Sequence, residues 1–338
     1  MRRFDVKPQT MDSWKPHILI VSTKLDTATD SVILRLKQMG ADFFRVNTED
    51  LPLQARSSYV FGSRGKARWT WLCPHFGEVQ LDTVKVVWYR RHRLPMMPDD
   101  VLPAHWDYCV RETDWFLRGA LYATDATWVG HPAYMQQAES KLYQLSVARK
   151  IGFTIPDTTI TNAAEEVSRF YEELRSRVVA KPLRTGYFDY GDRQACVFTE
   201  VLAPDDLQDK DALTIAPVIY QQHLAKECDV RVTVVGNDVF AAAIDSQSVQ
   251  SAVTDWRKSE TEDLPHSRHR LPDHIRTLCL DLLREMGLSF GAIDLVLTPD
   301  GTYYFLEVNP NGQWLWIEDR LGYPISECIA RWLVDHAG

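Results

Sequence analysis

The chain has 338 residues, 45% of them apolar and 25% charged, so at about 150 residues per domain it holds two or three packed units. A formal net charge of −8 argues against non-specific binding to nucleic acid, although a basic groove on one face stays compatible with it. No stretch approaches the roughly 18 uninterrupted apolar residues of a membrane span, so no membrane partner is expected.

Met1 to Lys15 carries Arg2, Arg3 and Lys7 without an apolar h-region, which argues against a secretory signal and predicts a frayed or lightly docked leader segment. A short apolar run, His17–Ser22, predicts a strand. A helix is expected over Asp30–Met39, closed by Gly40, and a second strand over Ala41–Val46. Strand, helix and strand on such short connections make a βαβ unit with a parallel sheet. Tyr59–Phe61 and Ala67–Leu72 predict a hairpin, and Val84–Tyr89 a buried strand. From Asp107 to Tyr122 the residues Cys109, Phe116, Leu117, Ala120 and Leu121 form the apolar face of a long helix.

A second region starts near Gly130-His-Pro132. Ser140–Lys150 predicts a helix closed by Gly152, and Thr154–Ile160 an extended segment around Pro156. Thr161-Asn162 caps a helix to Arg175, and Val178–Pro182 is a strand. A third region, from about Tyr220, reads as strands Asp229–Val235 and Val239–Asp245, a polar surface loop Lys258–Arg270, and a helix Pro272–Met286. Strands Gly291–Thr298 and Tyr303–Val308 follow, joined by the turn Pro299-Asp-Gly301. The six cysteines are scattered with no Cys-x-x-Cys pair, which predicts buried free thiols in a reducing cytoplasm.

The last hairpin carries the most informative residues. Side chains alternate faces along a strand, so Glu307 and Asn309 point the same way, and the Asp-Gly turn brings Asp294 to that face. Two acids and an amide oxygen, without thiol or imidazole, are a hard oxygen set suited to Mg²⁺ or Mn²⁺ rather than zinc. Apolar flanks (Ile293, Leu295, Phe305, Leu306, Val308) place the acids on a mainly buried sheet, and Asn309-Pro-Asn-Gly312 turns abruptly after them.

With these residues the chain resembles the ATP-grasp superfamily, and within it the ribosomal-peptide maturases that build microviridin-type graspetides. The likeness covers nearly the whole chain. It runs through Val87-Trp-Tyr-Arg-Arg91, Ala138–Leu145, Thr154–Thr158, Val230–Gly236, Ile244–Gln247, Asp255-Trp-Arg257, Gly291-Ala-Ile-Asp-Leu, Phe305-Leu-Glu-Val-Asn-Pro, Gln313–Glu318 and Gly322–Ser326. The resemblance implies an α/β (α+β) ATP-grasp fold with an N-terminal pre-ATP-grasp βαβ domain. The domains would be residues 1–129 (pre-ATP-grasp), 130–219 (central ATP-grasp subdomain) and 220–338 (C-terminal subdomain with the metal site).

It also implies site roles. Lys141 and Lys181 match the two lysines that contact ATP; Lys181 ends an apolar strand and precedes proline, unlike an ordinary solvated lysine. Tyr220–Leu224 resembles the adenine hinge, with Gln222, His223 and Leu224 as contacts. Asp229 matches the ribose position, with Glu227 as a local rival. Arg231 and Arg257 are the catalytic candidates, facing developing negative charge, and Asp294, Glu307 and Asn309 would hold two Mg²⁺ ions. The segment after Lys181, Arg184–Gly191, has only two glycines where many relatives have a glycine-rich flap. Arg90-Arg-His-Arg93 is a further basic run, with phosphate contact, substrate contact and a structural role all open, and His92 and His223 read as packed or hinge histidines.

The activity implied is ATP-dependent phosphorylation of Asp or Glu side chains of a precursor peptide, followed by ester or amide ring closure, in a cytoplasmic homodimer. The precursor has a leader and a core, and the leader would dock near the Asp189–Asp211 hairpin region with its acids Asp205, Asp206, Asp209 and Asp211. Two other readings share the same ATP residues: a small-molecule carboxylate–amine ligase, and a nucleotide-binding regulator without turnover.

Overall fold

The computed structural model describes residues 14–74, 76–184, 186–189, 194–258 and 264–338; the expected leader segment lies almost wholly outside them. The chain divides into two compact units, Met1–His131 with Ser326–Gly338, and Pro132–Ile325.

The first unit is built on a parallel sheet. Strand β1 (Ile18–Ser22), helix α1 (Thr27–Gln38) and β2 (Phe43–Asn47) form the expected βαβ unit, with Ile18 opposite Phe43. All five residues of β1 are buried, as in a parallel strand covered on both faces. Helix α1 starts three residues before its apolar pattern does, because the Asp26 carboxylate accepts the Thr29 N–H as an N-cap. The predicted hairpin is β3 (Arg56–Val60) with β4 (Arg68–Cys73), and β5 (Gly77–Gln80) adds a third strand with one buried apolar side chain, Val79. Strand β6 (Val86–Tyr89), helix α2 (Pro103–Tyr122) and β7 (Thr127–Val129) complete the unit, the parallel sheet running β2-β1-β6-β7. In α2 the residues Leu117, Ala120 and Leu121 are buried as expected, whereas Phe116 is exposed and Cys109 only half-buried.

At the carboxyl ends of β1 and β6 lies a buried ion pair. Asp26 Oδ2 is 3.6 Å from Arg90 Nε, with side chains 2% and 1% exposed. This gives Arg90 a structural partner inside the unit. His92 similarly meets Asp114, 2.5 Å away.

The second unit opens with α3 (Pro132–Ala138), a helix that the sequence did not suggest, and α4 (Lys141–Ile151). Gly152 terminates α4 with φ +103°, a conformation that favours glycine. Next come β8 (Thr158–Thr161), α5 (Ala164–Glu173) and β9 (Val178–Lys181). The cap expected from Thr161-Asn162 is shifted: Ala163 is the α5 N-cap, and Thr161 Oγ1 accepts its N–H. Strands β10 (Gly186–Asp189) and β11 (Gln194–Val197) pair antiparallel, followed by β12 (Glu200–Val201), α6 (Lys210–Thr214) and β13 (Val218–Gln222). The paired strands are therefore 186–189 and 194–197, and the acidic run follows them. Two of those acids serve local turns: Asp206 accepts the Ala203 N–H, and Asp209 caps α6 through the Ala212 N–H.

The remaining strands are β14 (Cys228–Val235), β15 (Asp238–Ile244) and β16 (His266–His269), then helix α7 (Asp273–Glu285), β17 (Phe290–Leu297) and β18 (Tyr303–Asn309). Helices α8 (Leu315–Leu321) and α9 (Ile325–Asp335) end the chain; α9 groups with the first unit, where Ser31 Oγ donates to Ser326 Oγ. Besides the β10–β11 pair, the strands of this unit form the sheet β12-β9-β13-β8 and the antiparallel sheet β16-β15-β14-β17-β18. Part of the expected loop 258–270 is thus an edge strand, held by pairing with β15 despite its polar composition. All six cysteines are free, but only Cys279 and Cys328 are buried, Cys196 being exposed. Among the described residues no helix is long and apolar enough to cross a membrane.

Candidate active site

Asp294 on β17 pairs in register with Glu307 on β18 and with Arg231 on β14. Directly opposed residues of an antiparallel sheet share a face, so the three side chains form one row. The register shifts between Asp294 and Leu295, a bulge of the kind that re-aims side chains beside functional sites. The expected meeting of Asp294 with Glu307 is therefore present, and its basis is direct cross-strand pairing.

Each acid has a cation. Arg231 Nη1 donates to Asp294 Oδ2 at 2.7 Å, and Lys141 Nζ donates to Glu307 Oε2 at 2.5 Å. Lys141 is the first residue of α4, and Gln144, one turn on, fastens that helix to β18. The Gln144 amide donates to the Val308 carbonyl at 2.7 Å and accepts the Val308 N–H at 3.0 Å. Burial raises the carboxyl of Glu307, but Lys141, Lys181 and Arg257 outweigh it and hold the group at about 2. Asp294 moves the other way: burial and the neighbouring Glu307 charge raise it against the pull of Arg231.

Lys181 ends β9, with Nζ donating to Gln221 Oε1 at 2.8 Å. Burial pushes its ammonium down to about 8, with Lys141 and Arg257 adding repulsion. Arg257 lies beyond, its guanidinium doubly bonded to Asp255 at 2.9 and 2.8 Å. One cleft brings Lys181, Asp229, Arg231, Arg257, Asp294 and Glu307 together. A second cavity shares Lys181, Thr199, Lys226, Thr254 and Leu306 with it and is lined by Gln222, His223 and Leu224.

Within that second cavity the backbone N–H groups of Gln222 and His223 are already used, donating to the carbonyls of Asp157 and Arg177. The Leu224 N–H makes no hydrogen bond among the described residues, which leaves a backbone donor open just beyond β13. Asp229 is buried and accepts from Lys226 Nζ at 3.0 and 3.1 Å and from Ser246 Oγ at 2.5 Å, whereas its rival Glu227 is exposed. Asn309 Oδ1 accepts the Asn311 N–H at 3.1 Å, which stiffens the turn while leaving the oxygen a second lone pair. Gly312 closes this turn so tightly that a Cβ there would lie 2.3 Å from the Ala292 Cβ and 2.8 Å from Arg231 Nη2.

The two carboxylates in register fit a hard divalent cation, whereas Asn309, expected with them, stands opposite Ala292 two residues beyond Glu307 and is not among the residues lining their cavity. Among the described residues no three His, Cys, Asp or Glu side chains cluster, so the set is two acids and no more. Gln144, Asp255 and Gly312 carry structural duties that sequence reasoning did not assign, although each falls in or beside a run already singled out. The segment Arg184–Gly191 is described only in part, as β10, and His92 lies in the first unit.

Cations around paired acids can receive a polyphosphate, and paired acids can hold a divalent metal. The family model described as the RimK-like ATP-grasp domain matches residues 138–333, and the MvdD pre-ATP grasp domain matches residues 17–136. The chain belongs to the ATP-grasp ligases, with a RimK-like catalytic part preceded by a pre-ATP-grasp domain of the MvdD type.

Among solved structures, it is similar to a RiPP-associated ATP-grasp ligase of Chryseobacterium gregarium in complex with ADP and a leader and core peptide. The two are 33% identical with a TM-score of 0.89, over 96% of this chain and 98% of that one. The macrocyclase MdnC of Microcystis aeruginosa, bound with the precursor peptide MdnA, is 30% identical with a TM-score of 0.82, over 94% and 99% of the chains. A curated relative, the ribosomal protein bS6–L-glutamate ligase of Escherichia coli, is 24% identical over 60% of this chain. The match spans 65% of that relative's length.

Proposed function

We propose that this protein activates Asp or Glu side-chain carboxylates of a ribosomal precursor peptide with ATP and closes ester or amide rings on it. The observation that carries the chemistry is the row Arg231–Asp294–Glu307 beside the hinge. The peptide substrate rests on the likeness to ligases solved with leader, core and precursor peptides.

Leu224 N–H and the hinge carbonyls receive the adenine edge, and Asp229 the ribose. Lys141 and Lys181 act on the phosphates as point charges. Asp294, Glu307 and Asn309 would hold two Mg²⁺ ions, which would supply charge neutralisation for the polyphosphate. Lys141 and Arg231 then exchange their acids for phosphate or peptide oxygens.

A substrate carboxylate oxygen attacks the γ-phosphorus; the bond between that phosphorus and the bridging oxygen breaks, and ADP leaves. A Thr or Ser hydroxyl or a Lys amine of the same peptide attacks the acyl carbon, losing its proton as inorganic phosphate departs. Arg231 and Arg257 face the charge that develops on the transferring group and on the acyl oxygen. No nucleophile of the enzyme is needed. The peptide loses one water per ring.

The enzyme works in the cytoplasm as a homodimer, and the leader docks on the β10–β11 hairpin and the acidic segment after it. A second reading, ligation of a free amino acid, draws on the glutamate-ligase relative. ADP release with purified protein separates the two. Release that requires a leader-bearing precursor supports peptide maturation, and equal release with free glutamate overturns it.

A further inference from the structure

A further cleft of the second unit shares no residue with the catalytic one. Three guanidiniums line it: Arg268 on β16, Arg270 just beyond that strand, and Arg276 on α7. All three are exposed. The one carboxylate beside them is Asp273, so the cleft is positive in a chain of net charge −8. His269 adds no charge near pH 7, since burial lowers its imidazolium; its Nε2 lies 2.7 Å from the Tyr303 hydroxyl.

Backbone carbonyls, not acids, hold these arginines. Arg268 Nε donates to the Leu321 carbonyl at 2.8 Å and Nη2 to the Gly322 carbonyl at 3.0 Å, with the guanidinium carbon 4.8 Å from the centre of the Tyr323 ring. The Tyr323 hydroxyl donates to the Ala241 carbonyl at 2.8 Å, so ring and guanidinium form a fixed platform. Arg276 Nη2 donates to the Asn237 carbonyl at 2.9 Å, and Arg270 has no hydrogen bond among the described residues. Among those residues none of the three forms an ion pair, which leaves their charge for a ligand. The cleft also has an open strand edge: β16 ends at His269, opposite Ala241, so residues 238–240 of β15 have no strand beside them on that side. Val239 and Leu271 supply its apolar lining.

The sheet relates this cleft to the catalytic row. Arg268 stands opposite Ala242, Ala242 opposite Arg231, Arg231 opposite Asp294, and Asp294 opposite Glu307. Directly opposed residues share a face, so Arg268 ends the row that holds the catalytic acids. Strand spacings of about 4.8 Å put it about 14 Å from Asp294 along the sheet, a span that takes at least about four extended residues. We propose that the cleft binds an acidic stretch of the substrate peptide, its carboxylates on Arg270 and Arg276, while a carboxylate at least about four residues away is activated. The identity of the ligand rests on the peptide-ligase reading. Charge complementarity selects it: a peptide that spends one Asp or Glu per ring carries the carboxylates that these guanidiniums lack. The open strand edge and apolar lining suit an extended peptide backbone.

The test is fluorescence anisotropy of a labelled polyglutamate peptide with the full-length protein, without ATP. Binding is expected to weaken with added NaCl and to be lost with polyglutamine. The double variant Arg270→Glu with Arg276→Glu, at exposed positions outside the catalytic cleft, is expected to weaken it about tenfold or more. In turnover with a precursor peptide, the same variant is expected to raise KM for the precursor about tenfold and to leave kcat and KM for ATP within about twofold. Changing the precursor's distant acids to amides is expected to raise KM for the wild type and to add nothing in the variant.

Equal binding of polyglutamate and polyglutamine, or unchanged affinity in the double variant, overturns the inference. So does a single-stranded oligonucleotide of the same charge that binds as tightly, or inorganic phosphate that displaces the peptide at equal concentration, since either makes the cleft a site for phosphate groups. Thermal unfolding reports whether the variant folds. If it does not, Arg270→Gln alone is expected to weaken peptide binding about threefold, and unchanged affinity there overturns the inference. Arginine-dependent binding of polyglutamate without ring products from the wild type supports the cleft and overturns the peptide-ligase reading. Ring products with an unchanged precursor KM in the double variant overturn only the inference.

Discussion

Lys141 and Glu307 stand 166 residues apart in the chain and meet at 2.5 Å, an ammonium at the start of α4 on a carboxylate of β18. The contact keeps Glu307 ionised in a site where burial alone would raise it. Under the proposed function this pair would part as phosphate and metal enter. Glu307→Gln keeps the volume of the side chain and removes its charge. It is expected to lower ATP-dependent product formation by at least about 10²-fold with the melting temperature preserved. Near-normal turnover would remove Glu307 from the metal site.

Gly312 is required by packing rather than by backbone conformation. A methyl group at this position would collide with the Ala292 Cβ and crowd Arg231 Nη2. Gly312→Ala is expected to destabilise the protein by about 1–3 kcal/mol and to lower activity through displacement of Arg231. Denaturant unfolding together with turnover checks both effects.

Much of this hairpin was legible in advance. Strand alternation and the Asp-Gly turn placed Asp294 and Glu307 on one face without any structure. The Lys141 contact was not, because nothing local to either residue encodes a pairing made through α4 and the Gln144 amide. Strand β16 escaped because His266–His269 lacks apolar alternation; its order comes from the β15 edge it completes. Helix α3 escaped because it is seven residues long, too short for a periodic pattern to stand out. Asp255 was visible only as a letter in Asp-Trp-Arg, since its Thr199 contact is long-range.

Lys181 carries a pH signature. Burial lowers it to about 8 from its ordinary value of 10.5. Between those two values the unfolded chain keeps the proton and the folded chain does not, so the penalty that this buried ammonium places on folding shrinks as pH rises through that window. Phosphate beside the ammonium reverses the shift. ATP binding is thus expected to take up a proton above about pH 8. Calorimetry in buffers of different ionisation enthalpy measures that uptake, and Lys181→Arg is expected to abolish it.

In the first unit, Asp26 caps α1 and pairs with the buried Arg90. Although burial opposes it, Arg90 and the hydroxyls of Thr29 and Ser22 hold its carboxyl below the ordinary value. The stability it contributes is present above about pH 4 and is lost as the pH falls through its lowered folded value. Asp26→Ala leaves Arg90 without this carboxylate and is expected to cost about 3–5 kcal/mol. Urea titrations of wild type and variant at pH 7 and at progressively lower pH measure both effects, the gap narrowing as Asp26 protonates.

The most direct measurement of the central claim is the intact mass of a precursor peptide incubated with the wild-type protein, ATP and Mg²⁺, set beside the same reaction with Glu307→Gln. The account predicts a mass lowered by a whole number of waters, with ADP and phosphate released in step, and an unchanged peptide with the variant. A precursor that keeps its full mass while the protein ligates free glutamate to a carboxylate acceptor would contradict it.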